Sequence, residues 1–396
     1  MSSIMSYIIA AKRSPIASFQ GSLANLSAPE IAAQVISAVL KETPTIQAQD
    51  IQEVLMGCVL TAGVGQAPAR QAALKASLPE NTPCTTIGKV CGSGLKTIML
   101  ADLSVRAKEC QLVLAGGMES MTQSPYLIPK ARSGARLGHA EIIDSMIKDG
   151  LWDVYNNYHM GSAAEICARE HKITREAQDA HAQSSYERAM AAQSKKLFDR
   201  EIAPIKIKSK KGDVLFSEDE EVKKVDFSKL STLKPVFQSD GTITAANASS
   251  LSDGAAALLV ASEDFIKSKN IKPLVRIVAQ SQAAQDPAWF STAPAASIKT
   301  LLNKSGKKTS DIDFWEINEA FSAVAIVNQR LLDIDPDKIN VRGGAVALGH
   351  PIGASGARIL STLINTLIDE RKKFGIASLC IGGGEAVSLL VENMNA

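Results

Sequence analysis

The feature that most constrains the fold is an internal repeat that relates the two ends of the chain. Residues 93–119 contain a Ser-Gly pair, a predicted helix, an apolar strand and then Gly-Gly-Met-Glu, whose glycines, Gly116 and Gly117, are predicted to form a turn. Residues 355–385 contain a Ser-Gly pair, a helix, a strand and Gly-Gly-Gly-Glu in the same order. Two βα units can resemble each other by chance because short glycine turns are common, but here both flanks match. The repeat favours a duplicated domain, whose two Ser-Gly helices should be pseudo-symmetric and present their N-termini to a shared cleft.

Around this repeat, predicted strands and helices alternate along the N-terminal part of the chain. Ser27, a following proline and Glu30 form a capping box that predicts the start of a helix. A strand at 111–115 is apolar at nearly every position, which is typical of strands buried on both faces. The other elements predicted here are strands at 7–11 and 53–59 and a helix at 68–78. This order predicts an α/β protein in which helices cover a largely parallel sheet.

The middle of the chain, from about residue 117 to 245, lacks this alternation and behaves like an insertion into a more regular domain. The elements predicted in and after it are helices at 161–170 and 174–194, a solvated hairpin turning at 212–213, a strand at 254–261 and a capped helix at 262–269. Pro273 then marks a domain boundary. We therefore divide the chain into an N-terminal half, 1–270, which contains the insertion, and a C-terminal half, 271–396.

Composition argues against several classes of protein. Lys and Arg total 43 and Asp and Glu total 41, so bulk charge does not favour a nucleic-acid partner, although a local basic patch stays open. The six cysteines include no C-x-x-C pair and no histidine at zinc-finger spacing, which argues against structural zinc and a disulfide framework. No apolar run approaches the ~18 residues that span a membrane, and the first residues do not resemble a signal peptide. We expect a cytoplasmic protein with free thiols and no membrane partner.

Cys91 is the first candidate for chemistry. It stands in the sequence Lys-Val-Cys-Gly-Ser-Gly at the predicted start of a helix, where the helix dipole and free N–H groups favour an anion. Such a position lowers the pKa of a thiol and produces a nucleophilic thiolate, and the glycines let a substrate approach the backbone closely. A buried structural cysteine beside a helix-packing glycine explains this segment equally well.

Two more segments, both rich in glycine, carry a histidine and a second cysteine. His350 lies among five glycines; histidine is the usual general base near neutral pH, although a lone histidine is more often structural. Its segment lacks P-loop and dinucleotide-binding spacings, so it does not predict a nucleotide phosphate site. Cys380 ends a predicted buried strand and precedes three glycines whose N–H groups suit an oxyanion hole. Taken singly Cys380 is a core residue, but its place in the repeat favours the shared cleft.

Asn318 lies where an apolar strand passes into a helix, and simple helix capping explains it. The candidates can also be combined. A cysteine nucleophile, a histidine that activates it, a second thiol that moves a proton and glycine N–H donors together predict acyl transfer through a thioester.

Five segments follow one another along the chain: VCGSGLKT (90–97), GGMESM (116–121), NEAF (318–321), GGAVALGHPIGASGAR (343–358) and CIGGGEA (380–386). Together these segments resemble the signature motifs of the thiolase family. The resemblance implies a thiolase fold, in which two βαβαβαββ halves form a layered α-β-α-β-α arrangement and a loop domain is inserted in the first half. The duplication and the insertion inferred above agree with that arrangement.

The resemblance also implies a role for each candidate residue. Cys91 matches the nucleophile that becomes acylated, and His350 matches the residue that activates it and helps hold the thioester oxygen of the second substrate. Cys380 matches the acid/base that takes a proton from the acetyl methyl group. Asn318 matches the residue that positions a water with His350 in one oxyanion hole. The backbone N–H groups of Cys91 and Gly382 match the donors of the other oxyanion hole.

The loop domain indicates which type of thiolase this chain resembles. Residues 125–139 and 145–161 resemble the biosynthetic, acetoacetyl-CoA type. This resemblance implies that acetyl-CoA, acetoacetyl-CoA and CoA are the substrates and products, that no metal or other cofactor is needed, and that the protein is a homotetramer. Among the implied CoA-binding residues, His159 and Met160 lie in the pantetheine pocket, and Met160 together with Phe321 limits the length of the acyl group. Ser249 hydrogen-bonds the pantetheine. Lys223 is the implied cation near the phosphates, where the family often has an arginine.

Three competing hypotheses remain at this point. The nearest is a degradative 3-ketoacyl-CoA thiolase of broader chain length, which uses the same residues. A Cys–His hydrolase is the second, and it has no use for Cys380. The third is a non-catalytic CoA-binding or scaffold protein, which needs no reactive thiol.

Overall fold

A computed structural model describes residues 5–210 and 212–396. The strands of its main sheet are β1 Ser6–Arg13, β2 Glu53–Gly57, β3 Cys84–Ile87, β4 Leu112–Ser120, β5 Ser252–Ser262, β6 Val275–Ala284, β7 Phe314–Ile317, β8 Phe374–Ile381 and β9 Glu385–Asn393. The helices are α1 Ala28–Glu42, α2 Pro68–Lys75, α3 Ser93–Arg106, α4 Met160–Glu170, α5 Arg175–Ser194, α6 Glu263–Ser268, α7 Ala293–Ser305, α8 Ser322–Leu332, α9 Ala345–Leu348 and α10 Ser355–Asp369. Each strand and helix predicted by residue range is present, with ends shifted by a few residues.

The main sheet follows the order β7-β8-β9-β6-β1-β5-β4-β2-β3, and the short strand Ala17–Ser18 pairs with the start of β5. The five first-half strands meet the four second-half strands only between β1 and β6, where two residue pairs connect them. Parallel pairing occurs between β2 and β3, β2 and β4, and β7 and β8, whereas the remaining neighbours are antiparallel. The expectation of a largely parallel sheet is therefore wrong. A three-residue glycine turn makes β8 and β9 a hairpin, and hairpin strands must be antiparallel.

Helices and strands form five layers. Helices α1 and α2 pack on the outer face of the first-half strands, and α7 and α8 pack on the outer face of the second-half strands. Helices α3 and α10 lie between the two groups of strands and share one apolar core with both. Helix α10 is buried from Ser355 through Leu367, as expected of a helix enclosed on all sides. This is the α-β-α-β-α arrangement that the thiolase resemblance implies.

The two Ser-Gly helices of the repeat cross at their glycines. A Cβ atom on Gly94 would crowd the backbone of α10, and a Cβ atom on Gly356 would overlap Leu95 of α3. The absent side chains thus let the two N-terminal turns approach each other at the centre of the molecule. The shared arrangement expected from the repeat is present, with α3 following Cys91 and α10 following His350.

The other flank of the repeat differs between the halves. Residues 382–384 form the expected turn, but Gly116 and Gly117 lie inside β4, which continues to Ser120. The interpretation of Gly116-Gly117 as a turn is therefore wrong. A Cβ atom on Gly116 would overlap the carbonyl of Ala256, and one on Gly117 would overlap the carbonyl of Gly353. These glycines serve close packing inside the sheet and against the His350 segment.

The second half also has one strand fewer than the first. After α8, Ile339 forms a single isolated parallel bridge to Trp315 of β7, at the point where the repeat would place a strand. The next residue, Asn340, has a φ of +47°, in the left-handed region, so the extended conformation ends there.

The insertion occupies the chain between β4 and β5. The predicted hairpin is confirmed as Ile205–Ile207 paired with Val214–Phe216; Lys211, in its connection, lies outside the described residues. Arg13, at the end of β1, ties the insertion to the sheet because its buried guanidinium donates to Glu201 and Asp219. The division of the chain at residue 270 stays a prediction. Throughout the described ranges, none of the helices has both the length and the apolar character needed to cross a membrane.

Candidate active site

A cavity of about 260 Å³ opens where both halves and the insertion meet. Eight of the ten residues predicted for catalysis or CoA binding line it: Cys91, His159, Met160, Ser249, Phe321, His350, Cys380 and Gly382. The other two behave differently: Asn318 contacts His350 behind the cavity wall, and Lys223 lies elsewhere. The cavity is strongly apolar apart from a few convergent polar groups, which is typical of a small-molecule site.

Cys91 lies in the turn between β3 and α3, just before the N-cap residue Gly92. The backbone N–H groups of Cys91 and Gly382 both act to lower the pKa of its thiol. Burial nevertheless raises the pKa of the Cys91 thiol to about 11, because the loss of water outweighs these two donors. The expectation that the helix start lowers this pKa is therefore wrong for the free protein. Its resting form is a thiol, and a base has to remove the proton.

The imidazole of His350 is held so that one nitrogen can accept a proton. Its Nδ1 lies 2.6 Å from Oγ of Ser355, whose hydroxyl donates to the carbonyl of Pro351 at 2.9 Å. Because that hydroxyl hydrogen is already used, Nδ1 must donate to Ser355, and the neutral ring has its lone pair on Nε2. Burial and, secondarily, the charge of Arg358 lower the pKa of His350 to about 3. The ring is therefore neutral at physiological pH.

Asn318 does not cap the following helix. Helix α8 begins at Ser322 with Phe321 as its N-cap, and Asn318 lies one residue beyond the end of β7. Its Nδ2 lies 3.4 Å from Nε2 of His350, a long contact that fits donation to the ring lone pair. Its Oδ1 is buried and has no hydrogen bond to protein. This amide can accept a hydrogen bond from a substrate or a water beside the histidine.

Cys380 reaches the cavity from the opposite half. It lies near the end of β8 and is buried against Met160 and Phe321 in one apolar cluster. Burial and, secondarily, the neighbouring Cys91 raise the pKa of the Cys380 thiol well above its ordinary value. The resting site therefore holds two thiols and a neutral imidazole around one small cavity.

The turn after Cys380 presents a backbone donor. Gly382 follows β8 directly, and its N–H points at Cys91. Gly383 and Gly384 have φ values of +93° and +83°, which only glycine adopts without strain. A Cβ atom on Gly384 would also overlap the carbonyl of Gln285. The three glycines thus let the chain reverse tightly while its first N–H faces the nucleophile.

The outer wall of the cavity is aromatic. His159 stacks on Phe237 with ring centroids 4.7 Å apart, and its Nδ1 accepts from the N–H of Gly161 at 3.0 Å. Burial lowers the pKa of His159, so the ring is neutral and carries its hydrogen on Nε2. Ser249 donates its hydroxyl to the carbonyl of Ala320 at 3.0 Å. Met160 and Phe321, each 7% exposed, narrow the cavity next to Cys380.

The structure does not bring Lys223 to this cavity. The short helix Glu221–Lys223 buries Val222 and turns Lys223 outward, where its side chain is 68% exposed and pairs with Glu218. Val222 faces inward because it is the apolar residue of this turn, which leaves its charged neighbour in water. The contact of Lys223 with the CoA phosphates stays a prediction.

One buried carboxylate was missed as a candidate. Glu119 accepts the N–H groups of Val59, Leu60 and Gly353 at 2.9–3.1 Å, and so joins the wall of the cavity to the turn after His350. Burial raises its pKa to about 7. Its signal in the sequence is an acidic residue inside the otherwise small and apolar GGMESM. Cavity residues that were also missed include Met121, Met146, Ile147, Leu151, Phe237 and Ile352.

No group of three or more His, Cys, Asp or Glu side chains that could hold a metal ion occurs within residues 5–210 and 212–396. The expectation that the protein works without a metal or other cofactor stays a prediction.

Comparison with known proteins identifies the fold and the family. The N-terminal thiolase domain matches residues 6–264 and the C-terminal thiolase domain matches residues 271–393. The chain belongs to the thiolase family. In structure it is similar to the Bacillus anthracis acetyl-CoA acetyltransferase, with a TM-score of 0.96 and 40% identity, covering 99% of this chain and 100% of that one.

Relatives of similar length share nearly half of the sequence. The chain is 47% identical to acetyl-CoA acetyltransferase 1 of Arabidopsis thaliana, over 98% of this chain and 94% of the relative. It is 49% identical to the acetyl-CoA acetyltransferase of Cupriavidus necator, over 97% and 98%. It is 50% identical to the mitochondrial acetyl-CoA acetyltransferase B of Xenopus laevis, over 98% and 91%.

Proposed function

We propose that this protein is an acetyl-CoA C-acetyltransferase, which condenses two acetyl-CoA molecules to acetoacetyl-CoA and CoA and catalyses the reverse thiolysis. Relatives with that name at 47–50% identity over nearly the whole chain support the proposal. The observation that carries it is the meeting of Cys91, Cys380, neutral His350 and the Gly382 N–H at one cavity. Two thiols and a base in one site suit a two-step transfer through an acyl-cysteine.

In the first half-reaction Cys91 attacks the thioester carbonyl of acetyl-CoA while Nε2 of His350 takes its proton. The pKa of Cys91, about 11, lies far above that of His350, about 3, so the ion pair forms only as the attack proceeds. The N–H groups of Cys91 and Gly382 stabilise the developing oxyanion. The C–S bond of acetyl-CoA breaks, and the departing CoA sulfur takes the proton of Cys380.

This step leaves acetyl-Cys91, a protonated His350 and a Cys380 thiolate. In the second half-reaction the thiolate removes a methyl proton from a second acetyl-CoA, whose thioester makes that proton acidic. Nε2–H of His350 and a water held by Asn318 bind the enolate oxygen, and the enolate carbon attacks acetyl-Cys91. Acetoacetyl-CoA forms, the Cys91 sulfur takes its proton back from His350, and both thiols are restored. The cycle consumes no redox equivalents and uses no metal.

The outer wall of the cavity suits a pantetheine chain. Nε2–H of His159 and the hydroxyl of Ser249 supply polar contacts, and the aromatic surface of Phe237 supplies apolar ones. Met160 and Phe321 leave room for a short acyl group beside Cys380. The limited space favours acetoacetyl-CoA over the longer 3-ketoacyl-CoA substrates that a degradative thiolase would cleave.

The direct test is mass spectrometry after mixing the protein with acetyl-CoA. One acetyl group should appear on the peptide that contains Cys91, and Cys91→Ala should abolish both acetylation and turnover. Thiolysis of acetoacetyl-CoA should be much faster than thiolysis of 3-ketodecanoyl-CoA; equal rates would support the degradative alternative instead. Acetyl-CoA hydrolysis without transfer would support a hydrolase.

We further propose a homotetramer that acts in the cytoplasm in lipid metabolism. Large apolar side chains are exposed along one segment of the insertion, namely Tyr126, Ile128, Leu137, Ile142 and Tyr155, and Leu137 is 98% exposed. Burial against further copies of the chain would remove this surface from water. Light scattering of the purified protein should give four times the mass of one chain, and Leu137→Glu should reduce it. Cell fractionation tests the location, since one relative is named as mitochondrial.

A further inference from the structure

The two N–H donors at Cys91 come from different halves of the chain. Cys91 follows β3 in the first half, whereas Gly382 follows β8 in the second half. Their common aim at one sulfur therefore depends on how the turn at Cys91 and the turn at Gly382 are held against each other. An oxyanion hole loses much of its effect when one donor is displaced, because stabilisation depends on preorganised geometry.

The turn at Cys91 is strained. Val90 has a φ of +43°, a value that is unusual for any residue except glycine and rarer still for a β-branched one. The N–H of Lys89 donates to Oγ of Ser93 at 2.8 Å, and that hydroxyl donates to the carbonyl of Val90 at 2.7 Å. These bonds close the turn locally but do not fix it relative to Gly382.

Packing brings the two turns together without a directional contact. A Cβ atom on Gly92 would overlap Ile381 and press on Val387, so glycine is required for the close approach. The nearest side-chain atom of Val90 would lie 3.7 Å from a Cβ atom on Gly382. Apolar contacts of this kind set a distance, but they allow sliding.

A directional contact is supplied by Lys89 and Glu385. The ammonium of Lys89 forms an ion pair with the carboxylate of Glu385, with side chains 20% and 38% exposed. Lys89 stands two residues before Cys91, and Glu385, the first residue of β9, stands three residues after Gly382. The ion pair thus spans the same gap as the two oxyanion donors.

We propose that the Lys89–Glu385 ion pair is a positioning contact that aligns the Cys91 and Gly382 N–H donors across the two halves. The inference rests on the proposed function, because its consequence is faster acetylation of Cys91. Neither residue lines the cavity. Partly exposed ion pairs add little to the free energy of folding, so the effect should appear in the reaction rather than in stability.

The matched control is Lys96, on the first turn of α3. Lys96 is close enough to both members of the pair to feel their charges, but it donates to Gln282 at 3.3 Å and not to Glu385. Lys96→Met removes the same charge from the same neighbourhood. It therefore reproduces any general electrostatic effect on an anionic CoA substrate and leaves the Lys89–Glu385 ion pair intact.

The first measurement does not depend on the reaction. Hydrogen–deuterium exchange of peptides covering residues 86–93 and 379–386 is compared for the wild type, Lys89→Met, Glu385→Gln and Lys96→Met. Loss of either partner should raise exchange in both peptides together, and Lys96→Met should change neither. Unchanged exchange in Lys89→Met and Glu385→Gln, or the same increase in Lys96→Met, would show that the ion pair does not hold the two turns together.

The second measurement is the rate of Cys91 acetylation by rapid quench at varied acetyl-CoA. Lys89→Met and Glu385→Gln should each lower the saturating rate by about tenfold with a nearly unchanged half-saturating concentration. The double variant should be no slower than either single variant, and the charge swap K89E/E385K should recover part of the rate. The positioning role would be wrong if the losses of acetylation rate in the two single variants were additive in the double variant. It would also be wrong if exchange rose in both peptides while the acetylation rate stayed at the wild-type value. If the wild type were never acetylated at Cys91, the proposed function would be refuted. The exchange data would still show whether the Lys89–Glu385 ion pair holds the two turns together.

Discussion

Nδ1 of His350 donates a hydrogen bond to Oγ of Ser355, the first residue of α10, at 2.6 Å. The hydroxyl of Ser355 is itself held by the carbonyl of Pro351, so two successive bonds fix the tautomer and the orientation of the ring. The lone pair of Nε2 is thereby kept toward Asn318 and the cavity. Helix α10 of the second half thus orients His350, the proposed base for Cys91 of the first half.

Ser355→Ala should therefore damage catalysis more than binding. Without the acceptor at Nδ1, the ring can rotate or carry its hydrogen on Nε2, and we expect a 10- to 100-fold lower kcat with little change in KM, a rough figure typical of lost ligand-orienting contacts. Steady-state thiolysis of acetoacetyl-CoA measures both constants. The control is Ser361→Ala on the same helix, whose buried hydroxyl only donates to the carbonyl of Ala357. An equal loss in both variants would contradict a specific role for Ser355.

His350 should also make folding sensitive to acid. Burial first and the charge of Arg358 second lower its pKa from 6.5 to about 3. Below pH 6.5 the imidazole of His350 binds a proton in the unfolded chain but stays neutral in the folded chain. The free energy of unfolding therefore falls as the pH drops from 6.5 toward 3. The slope is about 1.4 kcal/mol for each pH unit, or about 2 kcal/mol between pH 7 and pH 5.

His350→Gln removes this contribution. Urea unfolding at pH 7, 6 and 5 should show a smaller loss of stability in the variant than in the wild type, by about the amount given above. The comparison of the two proteins cancels the other titrating groups, which they share. Parallel pH dependences would show that His350 is protonated equally in the folded and unfolded states.

The buried cation of β1 should be essential for stability. Arg13 is fully buried and donates to Glu201 at 2.6 Å and to Asp219 at 2.7 and 2.9 Å. Arg13→Met leaves two carboxylates without their partner away from water, and we expect a loss of about 3–5 kcal/mol in the free energy of unfolding. Urea denaturation measures it, with Lys75→Met as the control because that cation forms only an exposed pair with Glu30. A comparable loss in both variants would argue against the burial effect.

Acyl-chain selectivity should change when the cavity is enlarged next to Cys380. Met160→Ala removes one of the two side chains that narrow it, so thiolysis of 3-ketohexanoyl-CoA should rise several-fold relative to acetoacetyl-CoA. The substitution also costs about 2–5 kcal/mol of stability, as usual for buried methionine. Met56→Ala, in the first-half core, controls for that cost and should leave the substrate ratio unchanged. An unaltered ratio in Met160→Ala would place the length limit elsewhere.

The sequence is sufficient to predict which candidate residues meet at the cavity, because their glycine-rich segments and the internal repeat together point to one cleft. Cys91, His350 and Cys380 are chemically active side chains among glycines, and the internal repeat brings their segments together. The repeat also predicts that α3 and α10 present their N-termini to a shared cleft. These inferences use short-range order and symmetry, which the sequence carries directly.

What the sequence does not carry is the tertiary environment of each group. Gly116 and Gly117 have the composition of a turn, but the carbonyl atoms that exclude a Cβ there come from distant segments. The pKa of Cys91 depends on how much water the fold removes, which no neighbouring residue encodes. Lys223 points outward because the apolar Val222 takes the buried position of its turn. For the two glycines and for Cys91, contacts with distant segments override the local pattern.

The division of labour between the two thiols yields the last prediction. Cys91 should still be acetylated in Cys380→Ser, because attack uses His350, although more slowly, because the departing CoA sulfur loses its proton donor. The weakly acidic serine hydroxyl cannot serve as the enolising base. Condensation should fall by about 10²- to 10⁴-fold, the range for a lost general base, and acetyl-Cys91 should accumulate. In deuterium oxide the wild type should incorporate deuterium into the methyl group of acetyl-CoA and the variant should not, as followed by NMR. Cys167→Ser, at a buried thiol outside the cavity, should behave as the wild type. Undiminished condensation in Cys380→Ser would remove Cys380 from the mechanism.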